Sequence, residues 1–317
     1  MNNRAVAQVA VVALLILGSG LAGYAAGSSV GRAPQSNGGE GGLKVLATFL
    51  PLYDDAKDVL GVKGEVDLLV PLAVDVHEFE PTPSAVSAVQ NADVLVFNGA
   101  GLEPWLPALV AAAGNPKLIL VNSSEGIPLI RVPSEFQEGN RTVDPHVWND
   151  PVLAQIQVRN ILEGLTRADQ ADRQYFTSNA DSLIGKFQYL DREIRTGTSD
   201  VATRTFVSFH LAFAYLAREY GLNQVAIAGP FEGEPTPTEI SNAVAAINQN
   251  HLCVAFAESL ENPAPMEAVA SQTRAHVWIL DPIEGLSGSD SNAGATYLAK
   301  FQLDIYSLLQ ALNQADC

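Results

Sequence analysis

Short apolar runs of strand length recur along this chain, separated by stretches whose apolar positions return at helical spacing. In the first half the runs are residues 43–48 (LKVLAT), 65–70 (EVDLLV), 94–97 (VLVF) and 118–121 (LILV), with helical spacing at 52–60, 84–91 and 105–113. The second half repeats the scheme, with runs at 205–208 (TFVS), 224–227 (QVAI), 253–257 (CVAFA) and 277–280 (VWIL) and helical spacing at 210–220, 237–248 and 263–273. Strands alternating with helices predict parallel sheets built from βαβ units. The fold class expected is therefore α/β, in two lobes, each a parallel sheet flanked by helices.

Between the halves, residues 169–194 (DQADRQYFTSNADSLIGKFQYLDREI) contain no proline, and Tyr175, Leu183, Phe187 and Leu190 fall near helical spacing. A helix of that length would extend about 40 Å at 1.5 Å per residue, enough to cross two lobes rather than turn within one. The organisation expected is an N-terminal lobe over 44–168, a long linker helix over 169–197 and a C-terminal lobe over 198–317. The chain's 317 residues suit two such domains.

The N-terminus has a different pattern. Arg4 precedes an uncharged apolar run over residues 5–26, which reads as a signal peptide or a membrane anchor occupying 1–26. Residues 27–43, rich in Gly and Ser, read as a flexible tether. Either version exports the globular part. The apolar run has no cysteine, which excludes lipid attachment there and argues against a lipoprotein.

The net charge of −17 makes nucleic acid and anionic lipid unfavourable partners and mildly concentrates cations, although solubility alone accounts for an acidic surface. The two cysteines, Cys253 and Cys317, form an even pair in an exported chain, and a disulfide between them is expected. It would fasten a terminal helix to the second sheet.

Four residues stand where apolar runs give way to polar turns: His77, His146, His210 and Asp281. Three of the chain's five histidines are among them. Imidazole nitrogens with one carboxylate make a complete shell for a borderline divalent ion such as zinc, whereas manganese favours more oxygen. With Asp281 as fourth ligand no position stays open for an activated water, which disfavours hydrolysis. Glu78, Glu80, Asp144 and Asn149 are nearby candidates to bond the outer imidazole nitrogens. Each position also has a plain structural reading, since Asp before Pro282 is a turn former and a histidine ending a strand is commonly a packed residue. His251 and His276 are read as structural or surface residues, and Trp105 and Trp148 as packing residues.

Longer motifs carry a resemblance. His77-Glu-Phe-Glu-Pro-Thr-Pro-Ser84 followed by Asn91-Ala-Asp-Val-Leu-Val-Phe-Asn-Gly99 resembles the first signature of the zinc/manganese substrate-binding proteins of ABC transporters. Asp144-Pro-His-Val-Trp-Asn-Asp-Pro151 resembles the second, and Tyr175-Phe-Thr-Ser-Asn179-Ala their connecting helix. Val207-Ser-Phe-His-Leu-Ala-Phe-Ala-Tyr-Leu-Ala-Arg-Glu-Tyr-Gly-Leu222 and Glu234-Pro-Thr-Pro-Thr-Glu-Ile240 resemble the third block. The match runs in order over residues 44–317.

The resemblance implies that His77, His146, His210 and Asp281 hold a metal between the lobes. A histidine at the third position goes with zinc, as does the Cys253–Cys317 pair. It further implies a non-enzymatic, monomeric extracytoplasmic receptor that delivers Zn2+, or alternatively Mn2+ or iron, to a membrane permease driven by a cytoplasmic ATPase. Two departures are visible: no histidine-rich loop lies in 125–140, and no lipid-accepting cysteine is present. Rival readings are an exported zinc hydrolase, for which no His-Glu-x-x-His motif is present, and a metal-stabilised adhesin or scaffold.

Overall fold

Thr-Pro and Asp-Pro pairs start several helices by the same chemistry. The Thr82, Asp150 and Thr236 side chains each accept a hydrogen bond from the first turn of the following helix, and the proline after each fills a position whose N–H would have no helical partner. Thr236 completes a capping box with Glu239. The computed structural model describes residues 42–314 apart from positions 138, 232 and 234. The segment 1–26, almost all of the tether and Cys317 lie outside the described residues.

In chain order the first half contains β1 (Leu43–Ala47), α1 (Leu50–Leu60), β2 (Gly64–Leu68), α2 (Pro83–Asn91), β3 (Val94–Phe97), α3 (Leu106–Ala113) and β4 (Ile119–Asn122). Then come α4 (Pro151–Ala168) and the 25-residue α5 (Arg173–Gly197). The second half contains β5 (Thr205–His210), α6 (Ala214–Tyr220), β6 (Asn223–Ala228), α7 (Pro237–Asn250), β7 (Val254–Ala257), α8 (Ala264–Ser271), β8 (His276–Ile279), α9 (Gly288–Asn292) and α10 (Tyr297–Leu312). The strands form two four-stranded sheets, β2-β1-β3-β4 and β6-β5-β7-β8, whose paired strands are all parallel.

Strand alternation distributes the core. In β1, Val45 and Ala47 face one cluster while Leu46 faces another, shared with α2 and α3. In β5, Phe206 and Val207 divide in the same way, the latter joining α7 and α8. The largest cluster is continuous from the first sheet to the second. Phe176, Ala180, Leu183, Ile184, Phe187, Leu190 and Ile194 of α5 form its spine, and Trp148 and Tyr297 lie within it. All described residues belong to one compact unit.

The pattern of the sequence located these strands closely. It missed α4, whose Asp150-Pro151 start reads equally well as a loop, and it began a helix at His210, which in fact ends β5. Cys253 is disulfide-bonded.

Candidate metal centre

His146 is fixed before any metal is considered. It follows Asp144-Pro145, and Asp144 Oδ1 accepts both its backbone N–H (2.9 Å) and its ring Nδ1–H (2.7 Å). The loop is held in turn by Tyr215, which donates to Asp144 O at 2.6 Å, and by Asn98, which donates to Pro145 O at 2.9 Å. His210 gains the same support from the second sheet. Glu258, immediately after β7, accepts its backbone N–H at 3.1 Å and its Nδ1–H at 2.8–2.9 Å. His77 lies in the loop between β2 and α2, where Asp75 Oδ1 accepts its backbone N–H at 2.7 Å.

The Nε2 atoms of these rings converge on one carboxylate. Glu284 Oε1 is 3.2 Å from Nε2 of His77, 3.1 Å from that of His146 and 3.7 Å from that of His210. One ligand atom from each of the four residues lies within 4.8 Å of the others, and all four are buried. His146 and His210 rings are fully enclosed, their Nε2 atoms 3.1 Å apart. Four donors at this spacing match the first shell of a divalent ion.

The carboxylate expected at this position from the sequence, Asp281, is not in the group; Glu284, three residues on, replaces it. Asp281 instead pairs with Lys300 Nζ at 2.5 Å, its Oδ1 accepts from Ser259 N at 2.6 Å, and its own N–H donates to Asp304 Oδ1 at 3.2 Å. Lys300 also binds Asp290 at 2.9 Å. An ammonium from α10 thus captures the first carboxylate of the loop. Ile283, at φ +61°, then turns the chain in the left-handed region that a β-branched residue rarely adopts. That turn sends Glu284 toward the histidines, and no residue type in the segment announces it.

Two further ties hold this loop. Trp148 Nε1 donates to Pro282 O at 2.6 Å, and Leu286 N donates to Leu72 O at 2.8 Å. Glycine is required at 285, because a Cβ there would collide with the Leu72 carbonyl.

The electrostatics follow from burial and pairing. Burial opposes the charge of His146, but the hydrogen bond and charge of Asp144, with help from Glu284, outweigh it and push its pKa up to about 9. His210 is raised for the same reason, with Glu258 as its main partner. Burial works against ionised Glu284 too, yet the three imidazoles hold it well below the usual carboxylate range. Burial pushes Asp304 well above its ordinary value, and Asp281 adds to the effect. Of the four outer-nitrogen candidates, Asp144 serves His146. Asn149 donates to Ala212 O at 3.2 Å instead. Glu258, following the apolar run of β7, was not singled out from the sequence, although its place beyond a strand end was the available signal.

Two α/β lobes meeting at buried imidazoles and a carboxylate define a metal-binding protein of the bilobal type. Residues 45–311 match the family model described as zinc-uptake complex component A, periplasmic, and the chain belongs to that family. It is similar to the high-affinity zinc uptake system protein ZnuA of Bacillus subtilis, at 33% identity over 85% of this chain and 88% of that protein. It is also similar to the zinc-binding lipoprotein AdcA of Streptococcus pneumoniae, at 31% identity over 87% of this chain but 57% of AdcA's length. The solved Zn(II)-bound AdcA structure superposes with a TM-score of 0.75 at 29% identity, covering 87% of this chain and 59% of that one. Among the described residues no helix is long and apolar enough to cross a membrane.

Proposed function

We propose that this chain is an extracytoplasmic substrate-binding protein that captures Zn2+ between its lobes and delivers it to an ABC permease and its ATPase. The observation that carries this reading is the convergence of three imidazole Nε2 atoms and one carboxylate within 4.8 Å in a buried site. Under it His77, His146, His210 and Glu284 are the ligands. Nitrogen-rich donors favour zinc over manganese. With all four positions filled by side chains, the site suits capture rather than hydrolysis, so the protein acts as a receptor and not as an enzyme. Residues 44–168 and 198–317 act as the two jaws, with 169–197, most of it the helix α5, as a stiff connector, and one chain holds one ion.

Asp144 and Glu258 orient two rings with Nδ1 protonated, leaving Nε2 for the ion. In the metal-free protein His146 holds a further proton that the ion must displace, so capture releases protons. The test is metal content and competition on protein stripped of metal, then offered Zn2+ and Mn2+ together. One zinc per chain, with the stripped protein still folded, is expected. Preferential manganese would overturn the choice of metal. Absence of stoichiometric metal would overturn the receptor.

A further inference from the structure

Among the described residues, His77 has no carboxylate backing like that of the other two rings. Its Nδ1 lies 3.0 Å from Nη2 of Arg141. Arg141 lies just before the Asp144–His146 segment, and its guanidinium stacks 3.9 Å from the ring centroid of Phe231, in the loop after β6. The contact therefore joins a residue from the first half of the chain, one from the second, and the imidazole between them.

The chemistry of this contact has one solution. A guanidinium has five N–H donors and no acceptor, so His77 Nδ1 must present its lone pair to it. The hydrogen of the neutral ring is then on Nε2, where Glu284 Oε1, at 3.2 Å, accepts it. A metal needs the lone pair of Nε2, which requires the hydrogen on Nδ1 and an acceptor, or water, facing it. His146 and His210 already satisfy that requirement through Asp144 and Glu258.

We propose that Arg141 is a positioning residue that holds His77 in the non-ligating tautomer. Loading the ion requires Arg141 to withdraw from Nδ1, and its return promotes release. The inference rests on the zinc-receptor reading above. Two rings are preset for the ion and the third is switched, which lets a site with four good donors give up its cargo. The Phe231 face keeps the guanidinium beside His77 between the two events.

The test begins with ring 15N NMR of the metal-free wild-type protein. A pyridine-type Nδ1 and a pyrrole-type Nε2 are expected at His77; the reverse assignment would overturn the proposal without touching the zinc reading. Zinc affinity and dissociation rate are then measured for R141M, which removes the donors, R141Q, which offers an acceptor to Nδ1–H, and R141K, which again only donates. R141M and R141Q should bind zinc about tenfold more tightly and release it more slowly, the scale of one charge-assisted hydrogen bond that no longer has to be broken. R141K should stay near wild type. A packing role would instead leave R141M and R141Q equal to or weaker than wild type, which would overturn the proposal. Wild-type protein that binds no zinc would overturn the receptor reading, and this proposal with it.

Discussion

The two lobes share a sheet order but mount the residues of the candidate metal centre differently. In the second, His210 ends a central strand and Glu258 follows the adjacent one, so imidazole and backing carboxylate are both placed by the sheet. In the first, His77 and His146 lie on loops far beyond β2 and β4, and their positions depend on side-chain bonds from Asp75, Asp144, Asn98 and Tyr215. The same topology thus provides one rigid donor and two that depend on their neighbours. His77, whose ring nitrogen faces a cation, is the least committed of them.

Removing donors tests that contrast most strongly. H210A and E284A should each lower zinc affinity by more than the roughly 10–100-fold typical of outer partners, and H77A should cost less than H210A. Titration with a competing chelator measures all three. Equal losses for H77A and H210A would break the comparison. The backing carboxylates come next: D144N and E258Q should each weaken zinc by about 10–100-fold while the same variants of Glu78 do little. Isothermal titration at fixed pH reads the difference.

Proton competition sharpens the picture further. Zinc affinity should rise with pH until about 9, where His146 loses its extra proton, by about tenfold per pH unit for each proton displaced. Stability of the metal-free protein should move the other way. The folded value of His146 lies above its unfolded one of about 6.5, so its contribution is complete below that pH and is lost as pH rises through about 9. Thermal melts with chelator across that window check the sign. The smallest effect on affinity is expected from K300M, which leaves every donor in place. It strands buried Asp281 and should cost about 3 kcal/mol of stability, read by urea denaturation.

The histidines were legible because each stands at the end of an apolar run or beside an Asp-Pro turn, signals that survive in one dimension. The carboxylate was not. Asp281 has the better local credentials, two residues past the end of β8 and before a proline, and what draws it away from the histidines is Lys300 on a helix nineteen positions away in sequence. The left-handed Ile283 that swings Glu284 inward is likewise invisible, since isoleucine gives no hint of positive φ. The sheets were readable from short apolar runs alternating with stretches of helical spacing. Helix α4 was not, because its proline start masked an 18-residue helix as loop.

The loop carrying Glu284 is joined to the first half of the chain on both flanks, through Trp148 to Pro282 O and through Leu286 to Leu72 O. Asp281 at its start stays tied to Lys300, Ser259 and Asp304 of the second half, so the loop bridges the halves and sets Glu284 beside His77 and His146. If the halves part and the loop follows the first, the donors separate three against one, with His210 alone departing. An opening protein would not drop its ion into water. It would keep the ion on Glu284, His146 and, until Arg141 returns to its Nδ1, His77, with one coordination position facing outward.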